Sequence, residues 1–212
     1  MRDIYEMQLS ELDQKMQQMS RMIEEAIEQS VHALENLDTE TAKKIMEEDA
    51  LIDRKEKEIE SLCLKLLLRQ NPVAGDFRKV SSALKMITDM ERIGDHAADI
   101  SEITILLAKE YRTLPTHNMS RMAEETMKMV RESIDAFVSQ DAELARKVID
   151  YDDVVDNLFL EEKAELINLV YRKEPAGEAV ADLLMAAKYF ERIGDHATNI
   201  AEWVLYSLTG EH

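Results

Sequence analysis

The chain has 212 residues, enough for one large domain or for two of roughly 100 residues each. Gly and Pro number only 5 and 3, aromatic residues make up 5%, and good helix formers dominate, so the composition predicts an all-α protein. Asp and Glu total 44 against 26 Lys and Arg, and the formal net charge of −18 argues against nucleic acid as a partner.

Six long helices are predicted along the chain. Asp or Thr at 38–40 and 140–142 offers N-caps, and Pro72 and Pro175 fit the first turn of a helix, where proline is tolerated. The segment 112–120 is predicted to link two halves. The helices are expected near residues 3–36, 39–70, 72–110, 116–139, 141–173 and 175–208.

An internal repeat divides the chain. The heptapeptide ERIGDHA occurs at 91–97 and again at 191–197, and earlier residues such as Asp53 and Asp156 match at an offset of 103. The three-residue change of offset falls in the loop after Pro72 and Pro175, where insertions are tolerated. We therefore predict two tandem antiparallel three-helix bundles, one in residues 1–111 and one in residues 112–212.

The third helix of each half carries a row of oxygen-bearing side chains. A spacing of i, i+4, i+8 and i+11 places them on one stripe, largely away from the apolar line expected to face the core. The rows comprise Glu91, Asp95, Asp99 and Glu102 in the first half, and Glu191, Asp195, Asn199 and Glu202 in the second. One interpretation is a solvated acidic face; the other is a set of hard ligands for Mg, Mn, Fe or Zn.

The second helix of each half adds a pair of acids. Asp49 and Asp53 are spaced i, i+4, as are Asp152 and Asp156, and Asp49 and Asp152 are expected at the edge of an apolar stripe. A partly buried carboxylate there needs a positive charge beside it to offset the cost of burying its own charge. A metal ion shared with the third helix and a salt bridge to Arg or Lys would both supply it.

Other residues of the heptapeptide favour structural roles. Gly94 and Gly194 lie mid-helix, where close approach of another helix is the preferred explanation and room for a ligand cluster the alternative. His96 and His196 lie 100° around the helix from the acids and are therefore poor candidates for direct metal ligands. Arg92 and Arg192 are expected to pair with acids of a neighbouring helix. Phosphate-binding loops, nucleophile elbows and Glu-x-x-His motifs are missing from the sequence, so we expect no enzyme.

The cysteine content and the lack of long apolar segments indicate the cellular compartment of the protein. The single cysteine, Cys63, cannot form an internal disulfide, and residues 1–10 carry no apolar segment typical of a signal peptide. No apolar run approaches the roughly 18 residues of a membrane-spanning helix. We therefore expect a cytoplasmic protein whose membrane association is only peripheral. Long Met-rich helices further predict a homodimer.

The two motif regions, DMERIGDHAADI at 89–100 and YFERIGDHATNI at 189–200, resemble those of the PhoU family of bacterial phosphate-uptake regulators. Each closes a three-helix half with Asp-x-x-x-Asp on its middle helix, and the resemblance covers the whole chain. It implies a negative regulator of the phosphate-starvation response, peripherally associated with the membrane through its partners. These partners would be the phosphate ABC transporter, through its ATPase subunit, and a sensor histidine kinase.

The resemblance also implies multinuclear clusters of iron or zinc on the bundle surface. The family's ligand motifs correspond here to Asp49, Asp53, Glu91, Asp95 and Asp99 in the first half, and to Asp152, Asp156, Glu191, Asp195 and Asn199 in the second. Asn199 replaces the equivalent of Asp99, so the second site is expected to hold fewer or more weakly bound metal ions, although an amide oxygen can still act as a ligand. Two other interpretations stay open: a structural helical scaffold without metal, and a carboxylate-metal enzyme such as a hydrolase.

Overall fold

A computed structural model describes residues 2–69, 73–116, 118–172 and 179–211. Within these ranges the chain is helical and contains no strand. The helices are α1 Arg2–Asn36, α2 Thr39–Arg69, α3 Ala74–Leu107, α4 Met119–Ser139, α5 Ala142–Tyr171 and α6 Val180–Thr209. The all-α fold with six long helices is therefore confirmed. Pro72 and Pro175, the expected helix starts, lie outside the described residues.

The two hairpins that join α1 to α2 and α4 to α5 have the same construction. Leu37 and Gln140 end their helices in the left-handed conformation, with φ of 52° and 57°. Asp38 and Asp141 follow as N-caps, because each carboxylate accepts hydrogen bonds from the backbone N–H groups two and three residues later, at 2.9–3.1 Å. Both N-cap predictions are confirmed.

The fourth helix begins later than predicted, at Met119 instead of 116. Ahead of it, the backbone N–H of Asn118 donates to Oε2 of Glu162 at 2.9 Å. Glu162 is fully buried in α5, so a carboxylate from the neighbouring helix binds an N–H group that α4 itself does not satisfy. A distant residue thus contributes to where this helix starts.

The helices α1–α3 form one antiparallel bundle and α4–α6 a second, and the central contact between them joins α3 to α6. These two helices run antiparallel, because Arg78 near the start of α3 donates from Nε to the Ser207 carbonyl near the end of α6, at 3.3 Å. α1 also packs on α4, where Arg131 binds Glu24 through two nitrogens at 2.6 and 2.9 Å. The division into units at residue 111 stays a prediction, since buried apolar residues of both halves form one cluster.

The predicted apolar lines of the third helices face this core. Ile93 and Ile100 on α3, and Ile193 and Ile200 on α6, are fully buried. Cys63 is also buried among apolar side chains of α2, and burial raises the pKa of its thiol to about 12. In the described part of the chain, no helix has both the length and the apolarity needed to cross a membrane.

Candidate metal centre

Gly94 brings the second and third helices of the first half close together. A Cβ atom added to this residue would lie 2.9 Å from Cδ1 of Ile52 and 3.3 Å from Oδ1 of Asp49. The helix backbone therefore approaches α2 more closely than any other residue type would allow without displacement. The expected reason for a mid-helix glycine, close approach of another helix, agrees with this geometry. It also places the Asp49 carboxylate directly beside α3.

The first acidic cluster is defined here as the five predicted ligands of the first half, Asp49, Asp53, Glu91, Asp95 and Asp99. The pKa of Asp49 is raised to about 6, first by burial and then by the charges of Asp95, Asp53 and Asp99 in that order of importance. Its Oδ1 atom is buried and has no hydrogen-bond partner among the described residues. The structure thus brings acids from two helices together around the Asp49 carboxylate, whose buried oxygen has no hydrogen-bond partner among the described residues.

Glu91 extends this cluster along the α2–α3 contact. Burial raises the pKa of Glu91, Asp95 adds to the rise, and Arg92 opposes it. Two acids of α2, Asp53 and Glu56, also raise the pKa of Glu91. Sequence analysis missed Glu56, whose counterpart at the offset of 103 is an aromatic residue.

Arg92 binds acids of its own helix. Its Nη1 lies 2.9 Å from Oδ2 of Asp95, and its Nε lies 3.6 Å from Oε2 of Glu91. The ion pairs of this arginine therefore lie on its own helix instead of the expected neighbouring one, and on α2 only its charge acts, opposing the rise in the pKa of Glu56. The reason is geometric, because its long side chain reaches a carboxylate three residues on more easily than one across the helix contact.

The second acidic cluster is defined as Asp152, Asp156, Glu191 and Asp195. Burial raises the pKa of Asp152, with Asp156 as the next cause and the Thr198 hydroxyl acting against it. Burial also raises the pKa of Asp195, followed by the charges of Glu191 and Asp152, while Lys188 lowers it. Four predicted ligands of the second half therefore lie together. Lys188, which sequence analysis did not consider, donates to Glu191 at 2.5 Å.

Asn199, the counterpart of Asp99, hydrogen-bonds to the other half of the chain. Its Nδ2 donates to Oδ1 of Asp89 on α3 at 3.2 Å, and Nδ1 of His196 lies 2.8 Å from the same oxygen. Asp99 likewise contacts the other half: burial raises the pKa of Tyr189, the counterpart of Asp89, and the charge of Asp99 and a hydrogen bond to it add to that rise. Asp99 also lies 3.4 Å from Nδ1 of His96 and raises the pKa of Asp49. The structure therefore unites four of the five predicted ligands in the second half and directs the fifth towards the other half of the chain.

The two heptapeptide histidines meet where α3 crosses α6. The ring centres of His96 and His196 are 5.4 Å apart, and Tyr189 lies 5.2 Å from His96. Because equivalent residues contact each other, the two halves are related locally by an approximate two-fold axis at this point. Burial lowers the pKa of His96, and the hydrogen bond to Asp99 opposes that shift. The histidines thus contribute to the contact between halves, a role that no sequence signal had assigned.

The first cluster opens onto a surface cleft between the halves. This cleft is lined by Asp49, Arg92, Asp95, His96, Ala98, Asp99, Arg192 and His196. Within the described residues, no three His, Cys, Asp or Glu side chains already converge closely enough to hold one metal ion. The donor set nevertheless suits hard cations, because its available atoms are carboxylate oxygens.

The fold and these two clusters define a class: a tandem repeat of three-helix bundles with a carboxylate-rich surface in each repeat. The sequence model of the PhoU domain family matches residues 16–104 and 119–204 of this chain. The chain therefore belongs to the PhoU family.

Relatives match over nearly the full length. A phosphate-specific transport system accessory protein PhoU homolog from Clostridium acetobutylicum is 35% identical over 99% of this chain and 96% of the relative. A homolog from Aquifex aeolicus is 36% identical over 96% and 92%. The crystal structure of PhoU from Pseudomonas aeruginosa superimposes with a TM-score of 0.90 at 32% identity, covering 98% of this chain and all of that one. PhoU from Streptococcus pneumoniae gives 0.89 at 27% identity, covering 98% of each chain.

Proposed function

We propose that this protein is a negative regulator of phosphate uptake and of the phosphate-starvation response. The observation that carries the proposal is the match, over 99% of the chain, to a protein named as a phosphate-specific transport system accessory protein. In this role the protein couples the ATPase subunit of the phosphate ABC transporter to a sensor histidine kinase. It restrains the kinase while phosphate is plentiful.

The proposed mechanism uses protein contacts instead of catalysis, in the cytoplasm and at the membrane only through partners. Long helices with exposed apolar side chains, such as Met46 and Leu51 on α2 and Met185 on α6, offer surfaces for such contacts and for a homodimer. The names of the relatives, which describe accessory proteins of a transport system, support the same choice.

Metal ions bound at the two acidic clusters are part of the proposal. The residues fit such ions on two grounds, since the donors are carboxylates and Oδ1 of Asp49 is buried without a partner. The raised pKa values of Asp49, Glu91, Asp152 and Asp195 have burial as their first cause and neighbouring negative charges as the next. A cation would offset that repulsion and that burial together.

Iron or zinc is the proposed metal, with Mg and Mn as alternatives of the same ligand chemistry. Bound cations would supply positive charge that bridges carboxylates of two helices. Asp49 and Asp53 on α2, and Glu91 and Asp95 on α3, would hold these cations and would thereby couple the positions of the two helices. Because these side chains repel one another without a cation, their rotamers are expected to change when one binds.

Metal content provides the biochemical test. Protein purified without chelator should carry about one or more iron or zinc ions per half, measured by elemental analysis. A variant with Glu91→Ala, Asp95→Ala, Glu191→Ala and Asp195→Ala should carry almost none. The matched control replaces four exposed carboxylates outside the clusters, Glu47, Glu124, Glu161 and Glu165, by alanine and should keep its metal. Equal and negligible metal in the wild type and the cluster variant would leave the structural scaffold as the better interpretation.

Gene deletion tests the regulatory role. Starvation-response genes should be expressed at high external phosphate in the deletion strain, and wild-type protein should restore repression. The four-carboxylate cluster variant should repress less well than the exposed-carboxylate control, provided that both accumulate equally. Silent response genes in the deletion strain at high phosphate would contradict the regulator proposal, whatever the metal content of the protein.

A further inference from the structure

A small groove lies between α1 and α2 of the first bundle, beside Gly94 of α3, and has a volume of about 70 Å³. Three acids line it, Glu25 on α1 and Glu48 and Asp49 on α2, and the described residues that line it include no Lys or Arg. Glu25 and Glu48 are exposed, while Asp49 is half-buried. The apolar part of the lining comes from Met22, Ala26, Ile45, Leu51 and Ile52. The groove therefore combines an apolar wall with negatively charged, solvent-exposed edges.

The second half covers the corresponding position with a side chain of its own. The offset of 103 also relates α1 to α4, because the buried Ser30 and Ser133 each donate to the carbonyl three residues earlier, at 2.8 and 2.7 Å. The Tyr151 hydroxyl donates to Oε2 of Glu125 at 2.7 Å, and Nζ of Lys128 lies 4.0 Å from the centre of the tyrosine ring. The matching residues of the first half all line the groove: Glu48 for Tyr151, Met22 for Glu125 and Glu25 for Lys128. An aromatic ring with a cation above it thus lies where the first half leaves a groove.

The surroundings of the groove are negative when every adjacent segment is counted. Residues 21–29 and 44–55 contain seven Asp or Glu and four Lys or Arg, and residues 91–95 of α3 add two acids and one base. Lys44 lies 3.7 Å from Glu48, but both side chains are about half exposed, so this pair is weak and open to exchange. The charge of the groove therefore complements a cationic group.

We propose that this groove binds a lysine or arginine side chain of a protein partner. The stem of such a side chain would lie against the apolar wall, and its head would lie beside Glu25 and Glu48. About 70 Å³ suits a short unbranched chain, since about 150 Å³ is enough for benzene. Leu51, which lines the groove and is 41% exposed, offers apolar area that a protein would cover and a free amine would not. The proposed function assigns no cation-binding groove, so this inference goes beyond it.

Titration with n-butylammonium, which has the stem and the head of lysine, tests the chemistry of the groove. In protein labelled at Met, Ile and Val methyl groups and held in chelator, the amine should shift the NMR signals of Met22, Ile45 and Ile52. Butanol lacks the charge and ammonium lacks the stem, so each should bind at least about tenfold more weakly. The double variant Glu25→Lys with Glu48→Tyr copies the second half and should abolish the shifts.

The reverse exchange in the second half is the matched variant. Lys128→Glu with Tyr151→Glu copies the first half and should create a groove, so the amine should then shift the signals of Val148 and Val155. Thermal unfolding checks that both double variants stay folded. The inference is overturned by unshifted groove signals in the wild type, by equal shifts with butanol, or by shifts that survive in the Glu25→Lys, Glu48→Tyr variant. Unchanged Val148 and Val155 signals in the folded reverse variant would also overturn it.

Photo-crosslinking in cells tests whether a protein supplies the cation. A photo-reactive phenylalanine in place of Glu28, which is exposed beside Glu25, should capture a peptide with Lys or Arg within about one helical turn of the attachment point. Replacing that basic residue of the partner by glutamine should weaken binding by about tenfold, and the Glu25→Lys, Glu48→Tyr variant should not crosslink.

Two crosslinking results would overturn the assignment to a protein partner: no crosslink at all, or crosslinks without a nearby Lys or Arg. A crosslink only to a second copy of the chain would assign the groove to the homodimer instead. A captured protein that belongs neither to a phosphate transporter nor to a kinase pathway would count against the proposed function and leave the groove inference intact. Failure of the two proposals is therefore distinguishable.

Discussion

Replacing Asp49 by asparagine should stabilise the metal-free protein near neutral pH. The substitution keeps the size of the side chain and removes its charge. Burial, with Asp95, Asp53 and Asp99 as further causes, raises the pKa of Asp49 from 3.8 to about 6 in the folded protein. The native state therefore binds a proton at this carboxyl more tightly than the unfolded chain does. The ionised carboxylate costs stability at pH 7, and asparagine removes that cost.

The size of the effect follows from the rise in pKa. A change from 3.8 to about 6 corresponds to about 3 kcal/mol, at about 1.4 kcal/mol for each pH unit. Because the side chain is only half-buried, solvent screening reduces this, and we expect a gain of about 1.5 kcal/mol. For a chain of this length that gain raises the melting temperature by about 3–6 °C. The gain should be complete well above pH 6, should shrink as the pH falls through 6, and should vanish only below pH 3.8, where the carboxyl is protonated in both states.

Urea unfolding in the presence of a chelator, repeated across this pH range, measures the effect. Glu47→Gln, which neutralises an exposed acid on the same helix, serves as the control and should change little. With bound metal the sign should reverse, because asparagine then removes a charged ligand. Loss of stability in chelator, or a gain that does not depend on pH, would refute this account of the first cluster.

Four further substitutions test the local geometry by urea unfolding. Gly94→Ala should lower the free energy of unfolding by about 1–2 kcal/mol, since its Cβ would lie 2.9 Å from Cδ1 of Ile52, whereas Gly75→Ala, with open space around it, should raise it by about 0.5 kcal/mol. Asp141→Ala removes two hydrogen bonds at the start of α5 and should cost about 1 kcal/mol. Gln140→Gly removes the strain of a non-glycine residue in the left-handed conformation and should raise the free energy of unfolding by up to about 1 kcal/mol. A lower free energy of unfolding would contradict this assignment.

The helices and the acidic rows were predictable because both depend on spacing along one helix. The caps at Asp38 and Asp141 were predictable for the same reason, since a capping side chain bonds to backbone groups two and three residues away. Contacts between helices were harder to predict from the sequence. The hydrogen bonds from Asn199 and His196 to Asp89 depend on how α3 lies against α6, and a single sequence gives no packing angle.

The heptapeptide is repeated in full because its residues serve three different neighbours. Ile93 and Ala97 face the core, Gly94 admits α2, and Asp95 adds charge beside it, while His96 faces the other half. The proposed cations act on the α2–α3 contact, one residue away from the contact between halves. Any change in the position of α3 against α2 therefore acts on the His96–His196 contact as well, because one rigid helix carries both surfaces. This shared helix is a physical route by which occupancy of an acidic cluster would reach the surfaces offered to partners.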